Sequence, residues 1–345
     1  MKKTLLLVAA AVALVACSNE ETVHQSAPEA IGFDNAFVEN STRSVDDPSL
    51  TATSLADFAV FGFVEGAPLF DGVKVGKNVT NGELKSDWRY EGTQYWIAGA
   101  KYNFNAVAPY TNGGWTKTAA TKDATTLSFI NNGTTDLLYA YAAQEGKVSG
   151  NTAVAFTFRH TLSKVKFSFE NAYNATNATI RVKNVKIVDA YKTGSVVLTG
   201  ATAWSDQAKA DGFVLDFGMA TDDQTTDAKE NVEVAFAYGK TYESQNELFM
   251  IPGAGATSFT VKNGETTTQK TGYTIKFDVE LLVSGTVVKS YPHTIYTDFA
   301  PVAGNSYDLK ATINAENIDP NHAQEPIEFT VNALPEWGTT NDQNI

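Results

Sequence analysis

The sequence holds one cysteine, four histidines and only four arginines. A single cysteine excludes an intrachain disulfide and any paired-cysteine metal or redox site. The histidines, His24, His160, His293 and His322, share none of the short spacings of a zinc site. No HExxH, P-loop, dinucleotide or GxSxG pattern occurs either. His24 and His322 lie in polar segments, whereas His160 and His293 flank apolar alternation, where a hydrogen-bonded structural histidine is expected. The acidic stretch TDDQTTD (Thr221 to Asp227) lacks the glycine and closing glutamate of a calcium loop and reads as solvated. Only carboxylates assembled from distant strands would leave no spacing signature. The residues therefore point to no enzyme, no metal and no cofactor. A clustered basic surface is missing too. The formal net charge is −13, the opposite of what a phosphate-binding face needs, so no nucleic-acid partner is expected.

Long apolar runs are absent except at the start, MKKTLLLVAAAVALVAC. Lys2 and Lys3 precede an apolar stretch, Thr4 to Ala16, that is too short to span a bilayer. It ends in LVAC, a small-residue cleavage site closed by the sole cysteine, and is similar to a bacterial lipobox. Residues 1–16 are then a lipoprotein signal peptide and Cys17 the acylated residue. Several acyl chains there would hold the protein firmly on a membrane. Loss of Lys2 and Lys3 takes the formal charge from −13 to −15. Residues 17–29 are polar and acidic and read as a flexible tether.

What is there in abundance is β-pattern. AVAFTFRH alternates Val154, Phe156 and Phe158 with smaller or polar residues. KVKFSFE sets Val165, Phe167 and Phe169 against Lys164, Lys166 and Ser168. YTIKFDVELLV sets Ile275, Phe277, Val279 and Leu281 against Lys276, Asp278 and Glu280. Alternation with period two marks strands with one buried face. FAVFGFV (Phe58 to Val64) is apolar on both faces, as a central strand is. Asn-Gly pairs at 81–82, 112–113, 132–133 and 263–264 suit tight hairpins. The fold expected is all-β, built of sandwiches. With 345 residues, two domains are expected, 30–160 and 161–345, meeting near FRHTLSKVKF.

Two clusters raise functional questions. DWRYEGTQYWI brings Trp88, Tyr90, Tyr95 and Trp96 close together; such rings either stack on a glycan or pack a core. FVENSTRSVDDP places Arg43 in a polar linker behind the apolar residues Ile31, Phe33, Ala36, Phe37 and Val38 of a short N-terminal strand. A linker of this composition is accessible to proteases. The other arginines, Arg89, Arg159 and Arg181, lie in or beside expected strands.

QYWIAGAKYNFNAVAPY (Gln94 to Tyr110) resembles the N-terminal domain of the fimbrillin family, the lipoprotein precursors of type V pili. FRHTLSKVKFSF resembles the family's junction segment. FAPVAGNSYDLKATI resembles its late strand, with Gly304, Tyr307, Leu309 and Ile313 in order. The resemblance implies two tandem transthyretin-like (Greek-key) β-sandwich domains after a lipoprotein signal peptide. It further implies an outer-membrane lipoprotein precursor and then a cell-surface fimbrium. An arginine-specific protease would cut between Arg43 and Ser44 and remove the tether and first strand. Other subunits of the same kind would then join by strand exchange into a homopolymer. The candidate donor is residues 327–337 within EPIEFTVNALPEW, with Ile327, Phe329, Val331 and Ala333 facing inward, behind the polar connector NAENIDPNHAQEP. A chain with both a processing arginine and a donor arm fits a stalk subunit. The competing reading is a permanently lipid-anchored surface protein that binds glycan through Trp88, Tyr90, Tyr95 and Trp96.

Overall fold

A computed structural model describes residues 27–38, 55–80, 83–199, 202–221, 235–263, 266–322 and 326–334. In chain order the strands are β1 (Phe33–Val38), β2 (Asp57–Val64), β3 (Ala67–Thr80), β4 (Glu83–Tyr90), β5 (Lys101–Ala108), β6 (Trp115–Ala120), β7 (Thr125–Ile130) and β8 (Leu138–Glu145). There follow β9 (Val154–His160), β10 (Ser163–Asn171), β11 (Ala178–Ile187), β12 (Thr193–Leu198), β13 (Thr202–Ala208), β14 (Leu215–Gly218) and β15 (Ala220–Thr221). The last are β16 (Thr241–Ser244), β17 (Leu248–Met250), β18 (Thr257–Asn263), β19 (Thr266–Val283), β20 (Thr286–Thr297), β21 (Ser306–Ile313) and β22 (Phe329–Leu334). Among the described residues there is no helix. The chain is all-β, in keeping with its wealth of β-branched and aromatic residues.

Four sheets form. One has seven strands in the order β1-β9-β8-β5-β2-β3-β4. Another runs β15-β16-β10-β21-β22, with β17 also on β10; a third runs β14-β11-β19-β18, with β20 also on β19. The fourth, β13-β12-β7-β6, draws strands from both sides of residue 160. Its middle ladder pairs Thr193 with Ile130 through Leu198 with Thr125. Trp204 on β13 donates its indole N–H to the carbonyl of Thr161, at 2.9 Å. The two halves separated in sequence at 160 therefore share a sheet and a core.

β2 explains why FAVFGFV is apolar on both faces. It lies between β3 and β5, and alternate side chains feed different cores. Ala59, Phe61 and Phe63 join the large cluster that also holds Phe129, Val196, Phe167 and Ile275. Phe58 and Val60 join a second cluster with Phe70, Phe104, Phe156 and Phe158.

The strand at β10 departs from the one-buried-face expectation. β10 carries buried side chains on both faces: Lys164 and Ser168 are buried along with Val165, Phe167 and Phe169. The lysines survive there through ion pairs, Lys164 with Glu247 at 3.3 Å and Lys166 with Glu243 at 2.6 Å. Glu280 on β19 is likewise buried rather than solvated, and Arg181 Nε donates to it at 2.8 Å. Lysine and arginine next to it hold its carboxyl below the usual range against the opposing effect of burial.

Hairpin chemistry also differs in part. Asn81, Gly82 and Gly264 lie outside the described residues; on either side of them Thr80 pairs with Glu83 and Asn263 with Thr266. Asn112-Gly113 and Asn132-Gly133 instead sit in connections that leave one sheet for another, after β5 and after β7. Two further tight hairpins use Glu65-Gly66 (φ 48° and 82°) and Ser284-Gly285 (φ 51° and 80°). Positive φ at both central residues is the type I′ requirement, and the glycine supplies the second at no steric cost.

The shared sheet has a measurable consequence. Phe129 on β7 is fully buried, with its ring 5.8 Å from that of Trp204 on β13. Phe129→Ala should cost about 3–5 kcal/mol. In urea melts read by intrinsic fluorescence and by limited proteolysis, it should lower the midpoints of residues on both sides of 160 together. Separate transitions, of which only the first moves, would contradict the shared core.

Candidate assembly site

The seven-stranded sheet is rolled so that its two outer strands, β1 and β4, come together. Phe33 of β1 meets Tyr90 of β4 ring to ring at 5.5 Å. The Tyr90 hydroxyl donates to the carbonyl of Ile31 at 2.7 Å. What closes the roll is the N-terminal segment. On one side it bridges Ala30 to Tyr95, with Ile31 N–H on the Gln94 carbonyl (2.8 Å) and Trp96 N–H on the Glu29 carbonyl (3.0 Å). On the other side β1 runs parallel to β9, pairing Phe33 with Val154 and, past a bulge, Val38 with Phe158.

Phe33 is the keystone of this closure. It is 4% exposed and lies 5.5–6.4 Å from five rings: Phe58, Phe70, Tyr90, Phe104 and Phe156. Four of these pairs are edge-to-face and the one with Phe156 is stacked, and such pairs add to ordinary burial. Ile31, two residues earlier on the same face, is 1% exposed. Together these two side chains contribute on the order of 3–6 kcal/mol of gross burial.

Glu29 locks the entry point. Its carboxylate accepts hydrogen bonds from the backbone N–H of Gly150 (2.7 Å) and Asn151 (2.6 Å) and from the Asn151 side chain (2.7 Å). The N–H of Asn151 and then that of Gly150 hold the Glu29 carboxyl below its ordinary range. A depressed folded value means that the clamp is complete above the usual glutamate range and is lost as pH falls through the depressed value. Sequence reasoning gave Glu29 to the flexible tether. No local signal could have placed it otherwise, because its partners lie more than 120 residues away.

The C-terminal strand forms a second edge. β22 pairs antiparallel with β21, Ala311 with Phe329 through Ser306 with Leu334, at the outside of its sheet. Ile327 is 3% exposed, and the Phe329 ring packs on Phe167 (5.4 Å), Phe169 (6.0 Å) and Phe277 (6.0 Å). Val331 and Ala333, expected to face inward as well, are exposed. The strand runs past the edge of the core beneath it. The connector before it is less free than its composition suggests. The Asn314 side chain caps the N–H groups of Glu316 and Asn317. Asn317 reaches back to Thr312, and the Ile318 carbonyl bonds to buried His293.

The aromatic cluster does not form a platform. Trp96 is 7% exposed and packs on Tyr102 at 4.7 Å. Trp88 is half-buried on Phe58 at 4.9 Å, and Tyr90 on Phe33 and Phe70. Tyr95 alone of the four is well exposed. Cys17, Arg43, Ser44 and all but the first residue of the acidic loop 221–227 lie outside the described residues. Arg89, Arg159 and Arg181 lie within strands, as expected. His160 is buried with Nδ1 2.8 Å from Asp136, and His293 stacks on Phe277 at 5.1 Å. Burial lowers the His293 pKa and outweighs its bond to the Ile318 carbonyl. Both are structural histidines in this geometry.

The architecture is that of a bacterial fimbrial fold. A solved fimbrial protein from Bacteroides vulgatus aligns with 88% of this chain and 98% of its own, at a TM-score of 0.51 and 17% identity. The fimbrial anchor protein Mfa2 from Porphyromonas gingivalis aligns with 90% of this chain and 98% of its own, at a TM-score of 0.38 and 12% identity. No curated protein matches the sequence significantly. The family model described as fimbrillin-like matches residues 42–333. The chain belongs to that family and is a fimbrial structural protein.

Phe33→Ala should cost about 3–5 kcal/mol by removing the ring that five others surround, measured by urea denaturation. Glu29→Ala should loosen the segment's entry while leaving the body folded. Hydrogen exchange would then speed up at Trp96 and Ile31 and stay unchanged at β19. Equal rates at all three would show that the Glu29 clamp holds nothing.

Proposed function

We propose that the protein is a stalk subunit of a cell-surface fimbria. It is exported as an outer-membrane lipoprotein on Cys17 and cut between Arg43 and Ser44. It then polymerises when the C-terminal arm of one copy, residues 327–337, enters the groove of the next. One observation carries this reading. The strand that would be removed, β1, is an edge strand that delivers Phe33 into the core of the rolled sheet and precedes Arg43 in sequence. Its loss leaves β9 without a neighbour on that side and the rings of Phe58, Phe70, Phe104 and Phe156 without the cover of Phe33. An unpaired edge above an apolar groove is a template for an added strand.

The donor matches what would be lost. Ile31-Gly32-Phe33 fills the groove, and Ile327-Glu328-Phe329 repeats the same two apolar side chains at the same spacing. β22 is itself an edge strand, so it can leave its sheet without breaking a ladder on a second side. The Asx turns and Ile318 fix the connector as far as 318. The arm therefore parts from the body beyond residue 318 rather than along the whole connector. The cluster at Trp88, Tyr90, Tyr95 and Trp96 gives the glycan-binding alternative one exposed ring, too few for a stacking platform.

The test is digestion of the purified precursor with an arginine-specific protease, followed by gel analysis without boiling. Wild type should give a ladder of heat-labile oligomers. Arg43→Ala and a chain ending at Pro326 should each remain monomeric. A clean cut after Arg43 with monomer alone would overturn polymerisation by this arm, and resistance at Arg43 would overturn the cleavage step.

A further inference from the structure

Resting on that reading, we propose that the groove keeps the cut N-terminal segment as a bound, non-covalent strand. Cleavage at Arg43 and departure of the segment are then separate events, and the incoming donor arm drives the second.

Hydrolysis of the Arg43–Ser44 bond leaves a carboxylate on Arg43 and an amino group on Ser44, with water supplying the added oxygen and hydrogens. It breaks none of the contacts that hold residues 29–38. The Glu29 carboxylate stays on Gly150 and Asn151. The Ile31 and Glu29 backbone bonds to residues 94–96 remain, as does the parallel ladder from Phe33 to Val38 on β9. The ring of Phe33 stays among its five neighbours.

Departure without replacement would bare the backbone of β9 and a run of phenylalanines to water, and each unpaired backbone group adds to the barrier. The segment is clamped at two separate edges, residues 94–96 and β9, so both must open before it can leave. A donor strand that pairs with β9 residue by residue replaces each bond as it is lost, which lowers that barrier. Where the segment carries lipid on Cys17, the cut body stays at the membrane until a donor arrives. Polymerisation and release are then one step, and no open groove is left to aggregate.

The full-length chain is digested to completion with an arginine-specific protease under native conditions and passed over a size-exclusion column. Its body peak is then analysed by denaturing mass spectrometry. The fragment ending at Arg43 should be present in that peak in equal amount to the 44–345 body. A synthetic peptide of residues 326–345 should displace it at least tenfold faster than buffer does. The same peptide with Ile327 and Phe329 replaced by serine should not.

Tyr90→Phe, which removes the hydroxyl bond to the Ile31 carbonyl and the longer one accepted from the Gln94 N–H, should shed the fragment severalfold faster from a body that remains folded. A body peak free of the fragment as soon as cleavage is complete would overturn the proposal while leaving cleavage and polymerisation standing. Failure of the protease to cut at Arg43 would overturn both. Fragment loss that no peptide accelerates would overturn the displacement step.

Discussion

Everything at the N-terminal end of this molecule depends on how a rolled sheet is closed. A sheet of seven strands has two edges, and each exposes unpaired backbone groups. Here the edges are brought close enough for Phe33 and Tyr90 to touch, but β1 and β4 are not joined as neighbours in a ladder. Closure is left to a short segment that leans on residues 94–96 with one end and on β9 with the other. Because Phe33 is surrounded by rings from β2, β3, β4, β5 and β9, the core of the roll is organised around a side chain delivered by its least embedded strand.

In the proposed assembly the N-terminal edge is the one vacated and the C-terminal edge supplies its replacement. Ile327 is already buried and Phe329 partly so against Phe167, so their transfer to another copy would trade one set of apolar contacts for another of similar size. Those two residues therefore do not set the direction of exchange. What the arm gains on transfer is cover for Val331 and Ala333, which are exposed in the free chain. Burial of Val331 alone would add roughly 1.5–3 kcal/mol. Ordering the arm offsets part of that gain.

Much of the fold was legible in the sequence, and the reason is periodicity. The alternation at β9 names its buried residues correctly, and the apolar β2 declares a strand with a core on each face. The alternation at β19 does so for Ile275, Phe277 and Val279 and then fails at the register shift, where Glu280 and Leu282 are buried in place of Leu281. Such patterns are local, so one strand suffices to show them. Three features were not legible. Lys164 and Ser168 read as solvent-facing because the pattern cannot show that β10 has neighbours covering its polar face. The bond from Glu29 to Gly150 and Asn151 joins residues that no local pattern links. The sheet formed by β6, β7, β12 and β13 crosses the point where the composition divides into halves, and pairing between distant strands leaves no mark on either of them. For the candidate site, the apolar character of Ile31 and Phe33 was visible. That Phe33 would meet five rings was not.

The use of a covalent cut, in the proposed assembly, follows from the same closure. While β1 is joined to the body it is an intramolecular competitor for its own groove, at an effective concentration that tethering sets in the millimolar range. A donor arm on another molecule, present far more dilutely, would have to win against both that concentration and a complete set of contacts. Its affinity could compensate only by exceeding that of a strand already carrying the same Ile-x-Phe pair. Hydrolysis changes the contest without changing a contact: a segment that leaves after the cut is diluted into solution and does not return at the same rate. The groove can therefore be filled tightly in the precursor and yet be open to exchange in the processed subunit. The direction of assembly is fixed by one irreversible bond cleavage rather than by a difference in strand affinity.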